Sequence, residues 1–309
     1  MDVITMSDFT SVRTNTLRGD QSIPFDIYVT INEKYVMFLR NGDVFEASRF
    51  QRLKDKKVKK VFIKAEDEKK YQSFLDSSLA EVMNSSSTKS VEAKSQIIAG
   101  RQAANVDAVM EKPEDQEAYA IAQASNAIFT KFLSAHPDAV RLILKEENTD
   151  HSISQHCVNV AAISTKLGEK LKLPASVIEN ISLGALFHDM GHLDQVDLFR
   201  KADLTADELK SYKEHPLRAG NRIKELNHFD PEIIKIIAQH EEMLDGSGFP
   251  NGLRDKQVHS LAIIIGLANA YDKMLAFEKL PIEKAKKEIM TRFVGKYPLD
   301  HIQFLQQII

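Results

Sequence analysis

Four stretches in the C-terminal half of this chain carry apolar residues at helical spacing, and each leads to a side chain able to bind a metal. Over residues 154–172, Val160, Ile163, Leu167 and Leu171 form one stripe, and His156 lies one turn before Val160 on the same side. Next, Ile178, Ile181 and Ala185 lead to His188, with Asp189 adjacent. After Pro231, Ile233 and Ile237 lead to His240 and Glu241. From about residue 258, Leu261 and Ile265 lead to Asn269 and Asp272. Helices that bury such stripes together also bury their nitrogen and oxygen donors, which is costly unless those donors are hydrogen-bonded or bound to a cation. One inward histidine is ordinarily a satisfied core residue; the convergence of four helices is what points to a metal centre for His156, His188 and His240. A histidine–carboxylate set with no thiolate except Cys157 suits iron, manganese, zinc or another divalent first-row ion. Asp189 suits a carboxylate shared between two ions, as in two-metal hydrolytic sites.

The rest of the chain sets the frame. Its 309 residues suffice for about two domains. Residues 25–31, 35–40 and 58–63 are strand candidates, with a loop at 32–34, a stronger turn at Asn41-Gly42-Asp43 and a helical pattern over 66–79. A small α+β unit is therefore expected over 1–83. Polar residues 84–90 open a connecting region, and helical periodicity then runs to the end, with Ile121, Ala124, Ile128 and Phe132 on one face. A net charge of -3 gives no broad footprint for a nucleic-acid polymer. The single cysteine excludes an internal disulfide and fits a reducing cytoplasm. No signal peptide is read at the N-terminus, and no apolar run is long enough to span a bilayer, so no membrane role is expected.

Directly after His240 and Glu241 comes Asp245-Gly246-Ser247-Gly248-Phe249-Pro250. By itself such a string is a turn. Beside a metal site, Gly246 and Gly248 would permit close backbone approach and open amides to phosphate, and Pro250 would stiffen the exit.

At these residues the chain resembles the HD-GYP family of metal-dependent cyclic-di-GMP phosphodiesterases. The family's HD-x-G-K motif is matched by His188-Asp189-Met190-Gly191-His192, and its HHExxDGxGYP signature by residues 240–250. Its K-P-G-x-L-T segment is matched from Arg200 and Lys201 to Thr205, its next histidine by His215-Pro216, and its A-D-x-x-D-A segment by residues 268–273. The resemblance covers about residues 148–300 and extends to the N-terminal unit. It implies a mainly α chain, with an all-α HD-type helical metal-binding domain at 148–309 after connecting helices at 84–147. The small α+β domain at 1–83 would be regulatory or would take a protein partner. It further implies two divalent ions, iron first with manganese or zinc as alternatives. His156, His188, Asp189 and Asn269 would hold one ion, and Asp189, His215, His240 and Glu241 the other, with Asp272 a second candidate for the late oxygen ligand. Asp189 and His192 would be catalytic. Arg200, Lys201, Asp245, Gly246, Gly248, Phe249 and Pro250 would line a cyclic-dinucleotide or other phosphoester ligand, hydrolysed through a metal-bridging hydroxide.

The chain departs from the pattern at several positions. Glu241 stands for the second histidine of the signature, Asn269 for an aspartate, His192 for the lysine and Phe249 for the tyrosine. Ser152 replaces a glutamate that serves a third metal in some members, so two ions are expected. The R-P-Y-R/K phosphate-contact segment is here Glu278-Lys279-Leu280-Pro281, which loses both terminal cations and weakens recognition of a doubly charged dinucleotide. These losses keep a second reading open: a low-turnover or inactive metal-binding sensor or interaction protein.

Overall fold

A computed structural model describes residues 8–17, 22–56, 58–84, 86–145, 152–201 and 203–309. The chain forms two compact units, residues 1–104 and 105–309. The first holds an antiparallel sheet of β1 (Phe9–Arg13), β2 (Ile27–Ile31), β3 (Lys34–Leu39) and β4 (Lys60–Lys64), ordered β1-β4-β2-β3. Its inner face buries Val12, Ile27, Leu39, Val61 and Ile63 against Phe25, Phe45, and Tyr71, Phe74 and Leu75 of a helix. The outer face groups Phe9, Tyr28, Tyr35 and Phe62, with Phe9 stacked on Tyr35 at 4.0 Å.

Strands β2, β3 and β4 fall where sequence places them. The β2–β3 turn is only two residues, Asn32 and Glu33, both with positive φ (49° and 61°), as a type I′ hairpin requires. Two elements were not expected. β1 has only Phe9 and Val12 as apolar residues and is made by pairing with β4. Helix α1 (Ala47–Asp55) offers only Phe50 and Leu53 to a core. Helices α2 (Glu68–Met83) and α3 (Val91–Glu111) follow, and the division between units falls inside α3.

The second unit continues with α4 (Gln116–Ala135), α5 (Ala139–Leu144), α6 (Ile153–Lys170) and α7 (Ala175–Phe187). Then come α8 (Val196–Arg200), α9 (Ala206–Lys213), α10 (His215–Ile223), α11 (Pro231–Gln239), α12 (Ser260–Ala276), α13 (Ile282–Phe293) and α14 (Leu299–Ile308). The central helix is α6, buried at every position from Ile153 to Thr165 and packed on α7, α12 and α14. Ser152 caps it by accepting from the Gln155 amide, which fixes the start of the helix one turn before His156. No helix among the described residues is long and apolar enough to cross a membrane.

The expected face of α4 is corrected. Phe132 is buried and Ile128 half-buried as expected, but Ile121 is 38% exposed and Ala124 is exposed, whereas Tyr119, Ala122, Ser125, Asn126, Phe129 and Leu133 are buried. The true face includes polar side chains: Asn126 donates to the Glu179 carbonyl (3.0 Å) and accepts from Ser182 Oγ (2.6 Å). A search for apolar residues alone therefore rotates the helix.

Candidate metal centre

Helices α6, α7, α10, α11 and α12 bring polar side chains to one point. His156 lies in the first turn of α6, His188 follows α7, His215 opens α10, and His240 follows α11. Asn269 and Asp272 face them from α12, and His192 lies in the 3-10 segment Met190–Gln195. All of these, with Asp189, are 2% exposed or less. Gly191 is required here, because a Cβ would lie 2.0 Å from the His215 carbonyl oxygen.

Asp189 stands at the centre. Its Oδ2 lies 3.4 Å from His156 Nε2 and 3.5 Å from His188 Nε2. Its Oδ1 lies 3.2 Å from His215 Nε2, 3.5 Å from His240 Nε2 and 3.8 Å from His192 Nε2. These donors form two triads sharing the carboxylate: His156, His188 and Asp189, and Asp189, His215 and His240.

Backbone carbonyls decide the protonation of three imidazoles. His188 Nδ1, His215 Nδ1 and His240 Nδ1 each stand 2.7 Å from the carbonyl three residues back, those of Ala185, Tyr212 and Ile237. A carbonyl only accepts, so each Nδ1 bears the hydrogen and each Nε2 a bare lone pair. The Nε2 atoms of His215 and His240 then face each other at 3.0 Å, beside a carboxylate oxygen. Among the described residues, neither oxygen of Asp189 finds a hydrogen-bond partner, nor does His188 Nε2. Buried lone pairs gathered in this way fit a cation, and the donor set fits a first-row divalent ion.

Burial disfavours charge on two of these rings, pulling His188 down to about 3 and lowering His215. Burial also works against the His156 cation, but the nearby Asp189 carboxylate and the hydrogen bond to Asp272 outweigh it and hold the ring up to about 9. Burial by itself would raise Asp189, yet the imidazoles, His188 foremost, keep it well below the usual carboxylate range.

A supporting layer orients the donors. Gln155 donates to Asn159 (3.0 Å), Asn159 donates to Asp272 Oδ1 (3.0 Å), and Asp272 Oδ2 lies 2.6 Å from His156 Nδ1. Asp272 thus holds the ring nitrogen away from Asp189, whereas Asn269 Oδ1 sits 3.0 Å from Nε2, on the metal-facing side. Glu241 Oε1 accepts from Asn269 Nδ2 (3.1 Å) and Lys273 Nζ (2.6 Å), and Lys273 also reaches the Tyr212 hydroxyl (2.7 Å). Burial pushes Glu241 up, but Lys273 and the histidines bring it down to about 2. His192 stacks on His215 at 3.9 Å, makes no hydrogen bond at either nitrogen, and is held neutral by burial at about 2.

Sequence reasoning gave no role to Lys273, Tyr212, Asn159 or Glu242. Lys273 had a signal, since it stands four residues after Asn269 on the same helical face. Glu242 holds the loop by accepting from the Asn251 and Leu253 amides. Gly248 packs against its own chain: a Cβ there would lie 2.3 Å from the Met243 nitrogen. Gly246 has φ +78° and Asp245, exposed, accepts from Ser247, so both build the turn. The Phe249-Pro250 peptide is cis, and the half-buried Phe249 ring lies 6.0 Å from that of His215.

Of the expected phosphate contacts, Lys201 is paired with both oxygens of Glu208 at 2.6 Å, and the Arg200 side chain lies outside the described residues. Glu278 pairs with Arg292 at 2.7 Å. His136, His228, His259 and His301 are half-buried and belong to neither triad; His151 lies outside the described residues. A groove of about 1090 Å³ lined by Leu171, Leu173, Leu261 and Pro298 contains none of the donors.

A helical unit centred on a buried His–Asp pair is the HD-domain class, and an HD-domain family model matches residues 138–289. The solved structure of an HDG"Y"P protein from Bdellovibrio bacteriovorus is similar at TM-score 0.88 and 37% identity, over 97% of this chain and 99% of that one. The chain belongs to the HD-GYP family. A cyclic di-GMP phosphodiesterase of Pseudomonas aeruginosa is 27% identical over 139 residues, 44% of this chain and 34% of the relative. A cyclic di-GMP phosphodiesterase response regulator of Xanthomonas campestris is 30% identical over 143 residues, 44% of this chain and 37% of the relative. The chain thus spans little more than a third of the length of these two relatives.

Proposed function

We propose that the chain is a two-metal phosphodiesterase hydrolysing cyclic-di-GMP or a related cyclic or linear dinucleotide. The observation that carries this reading is the pair of buried donor triads sharing Asp189. His156, His188, Asp189 and Asn269 would hold one ion, and Asp189, His215 and His240, with Glu241 beside them, the other. When bound, such ions lower the pKa of water and stabilise charge on phosphoryl oxygens. The chain's own residues do the rest. Asp272 and the three backbone carbonyls fix the imidazoles, and second-layer partners of this kind raise ligand basicity. Neutral His192, whose Nε2 lies 3.8 Å from Asp189 Oδ1, would serve a phosphoryl oxygen or leaving group. Phe249, with Lys213 Nζ 5.9 Å above its ring, supplies a face for a nucleobase. In this reading residues 148–309 are the phosphodiesterase domain, 84–147 connect, and 1–83 serve regulation or a protein partner.

The test uses anaerobically purified protein, with metal content and hydrolysis measured on the same sample. About two equivalents of iron, manganese or zinc and cleavage of cyclic-di-GMP or its linear product are expected. Metal-loaded protein that leaves every cyclic and linear dinucleotide intact would sink the proposal. The pairing of Lys201 with Glu208 and of Glu278 with Arg292 favours a second reading, a metal-bearing sensor with little turnover. Dinucleotide binding without cleavage would select it.

A further inference from the structure

The second triad has a carboxylate beside it that is held back. Two donors sharing an ion at roughly 2.0–2.2 Å stand about 3 Å apart. His215 Nε2 meets that spacing toward His240 Nε2 (3.0 Å) and Asp189 Oδ1 (3.2 Å). Glu241 Oε1 does not, at 4.0 Å from His215 Nε2. The same oxygen takes the Lys273 ammonium at 2.6 Å and the Asn269 amide at 3.1 Å. Lys273 is fixed in turn by the Tyr212 hydroxyl of α9. Glu241 and Asn269 both depart from the family pattern, standing where its motifs have histidine and aspartate. Glu241 touches both Asn269 and Lys273, so the three side chains form one physical unit.

We propose that Lys273 is a positioning residue that withholds Glu241 from the second metal site, leaving it three protein donors and an open coordination position. This rests on the two-metal reading above. An open position is what separates a catalytic metal site from a closed structural one. With Lys273 gone, the strongest partner of Glu241 is lost, and the nearest cation becomes the ion on His215 and His240. The carboxylate then closes onto that ion and takes the open position. Removing a lysine with a merely structural role would loosen the site instead.

The experiment titrates the metal-free full chain with Mn²⁺ by calorimetry and counts exchangeable water on the bound ion by proton relaxation. For Lys273→Met, the weaker of two Mn²⁺ sites should tighten by about tenfold, with loss of about one exchangeable water. Lys273→Gln, which keeps a neutral donor, should fall between, and it carries the test if the methionine variant does not fold. In Lys273→Met/Glu241→Gln the tightening should vanish. Unchanged or weaker Mn²⁺ binding in both single variants overturns the proposal, as does tightening that survives Glu241→Gln. A wild-type chain that takes only one Mn²⁺ overturns this proposal and the two-metal reading together, an outcome distinct from the others.

Discussion

Both oxygens of Asp189 are buried among imidazole nitrogens and neither is hydrogen-bonded, so this side chain belongs to no ordinary core. Asp189→Asn removes the shared charge and should leave less than one equivalent of metal by elemental analysis, with hydrolysis lost; two retained equivalents would contradict a shared carboxylate. Asn159→Ala acts two bonds further out, by releasing Asp272 from one of its donors. It should cost about 10–100-fold in metal affinity while the circular dichroism spectrum is unchanged. At this scale sequence was informative about identity and poor about role. Asn269 and Asp272 were equal candidates, because residues three apart on a helix share a face. Only the contacts separate them, with Asp272 on the Nδ1 side of His156 and Asn269 on the Nε2 side.

At the scale of elements, the site is built from helix ends rather than helix middles. His188 and His240 cap α7 and α11, and His215 opens α10, so each Nδ1 reaches a carbonyl in the preceding turn. The Ser152 cap instead fixes the start of α6 ahead of His156, and Ser152→Ala should lower stability by about 1 kcal/mol, read as a fall of roughly 2–4 °C in thermal denaturation. Gly248→Ala forces a Cβ into the backbone of residues 241–243 and should cost about 1–3 kcal/mol, with loss of metal affinity because the adjoining donor His240 shifts. α6, α7, α11 and α12 were legible because their apolar stripes are long. β1 and the buried face of α4 were not. The strand depends on β4 as its partner, and the helix buries Ser125 and Asn126 through hydrogen bonds that a count of apolar residues misses.

At the scale of the molecule, metal and stability are linked. The centre gathers one carboxylate and four imidazoles from α6, α7, α10 and α11 and their ends, so an ion there ties those helices together. Removing it with a chelator should lower the melting temperature by roughly 5–10 °C if free metal had stood about a hundredfold above its Kd. A melting curve indifferent to chelator would mean that no ion is held by the folded state. What the sequence determined by itself was the helical class of the C-terminal part, three of the four strands of the N-terminal unit and the residues that carry the His–Asp chemistry. Periodicity and motif order are local properties, and both survive in a one-dimensional string. What only the tertiary structure decided was how those residues are used: three imidazoles fixed in one tautomer, Asp272 set to orient, and Glu241 taken by a lysine distant in sequence. Those assignments depend on distances of about 3 Å between side chains from different helices, which no spacing along the chain encodes.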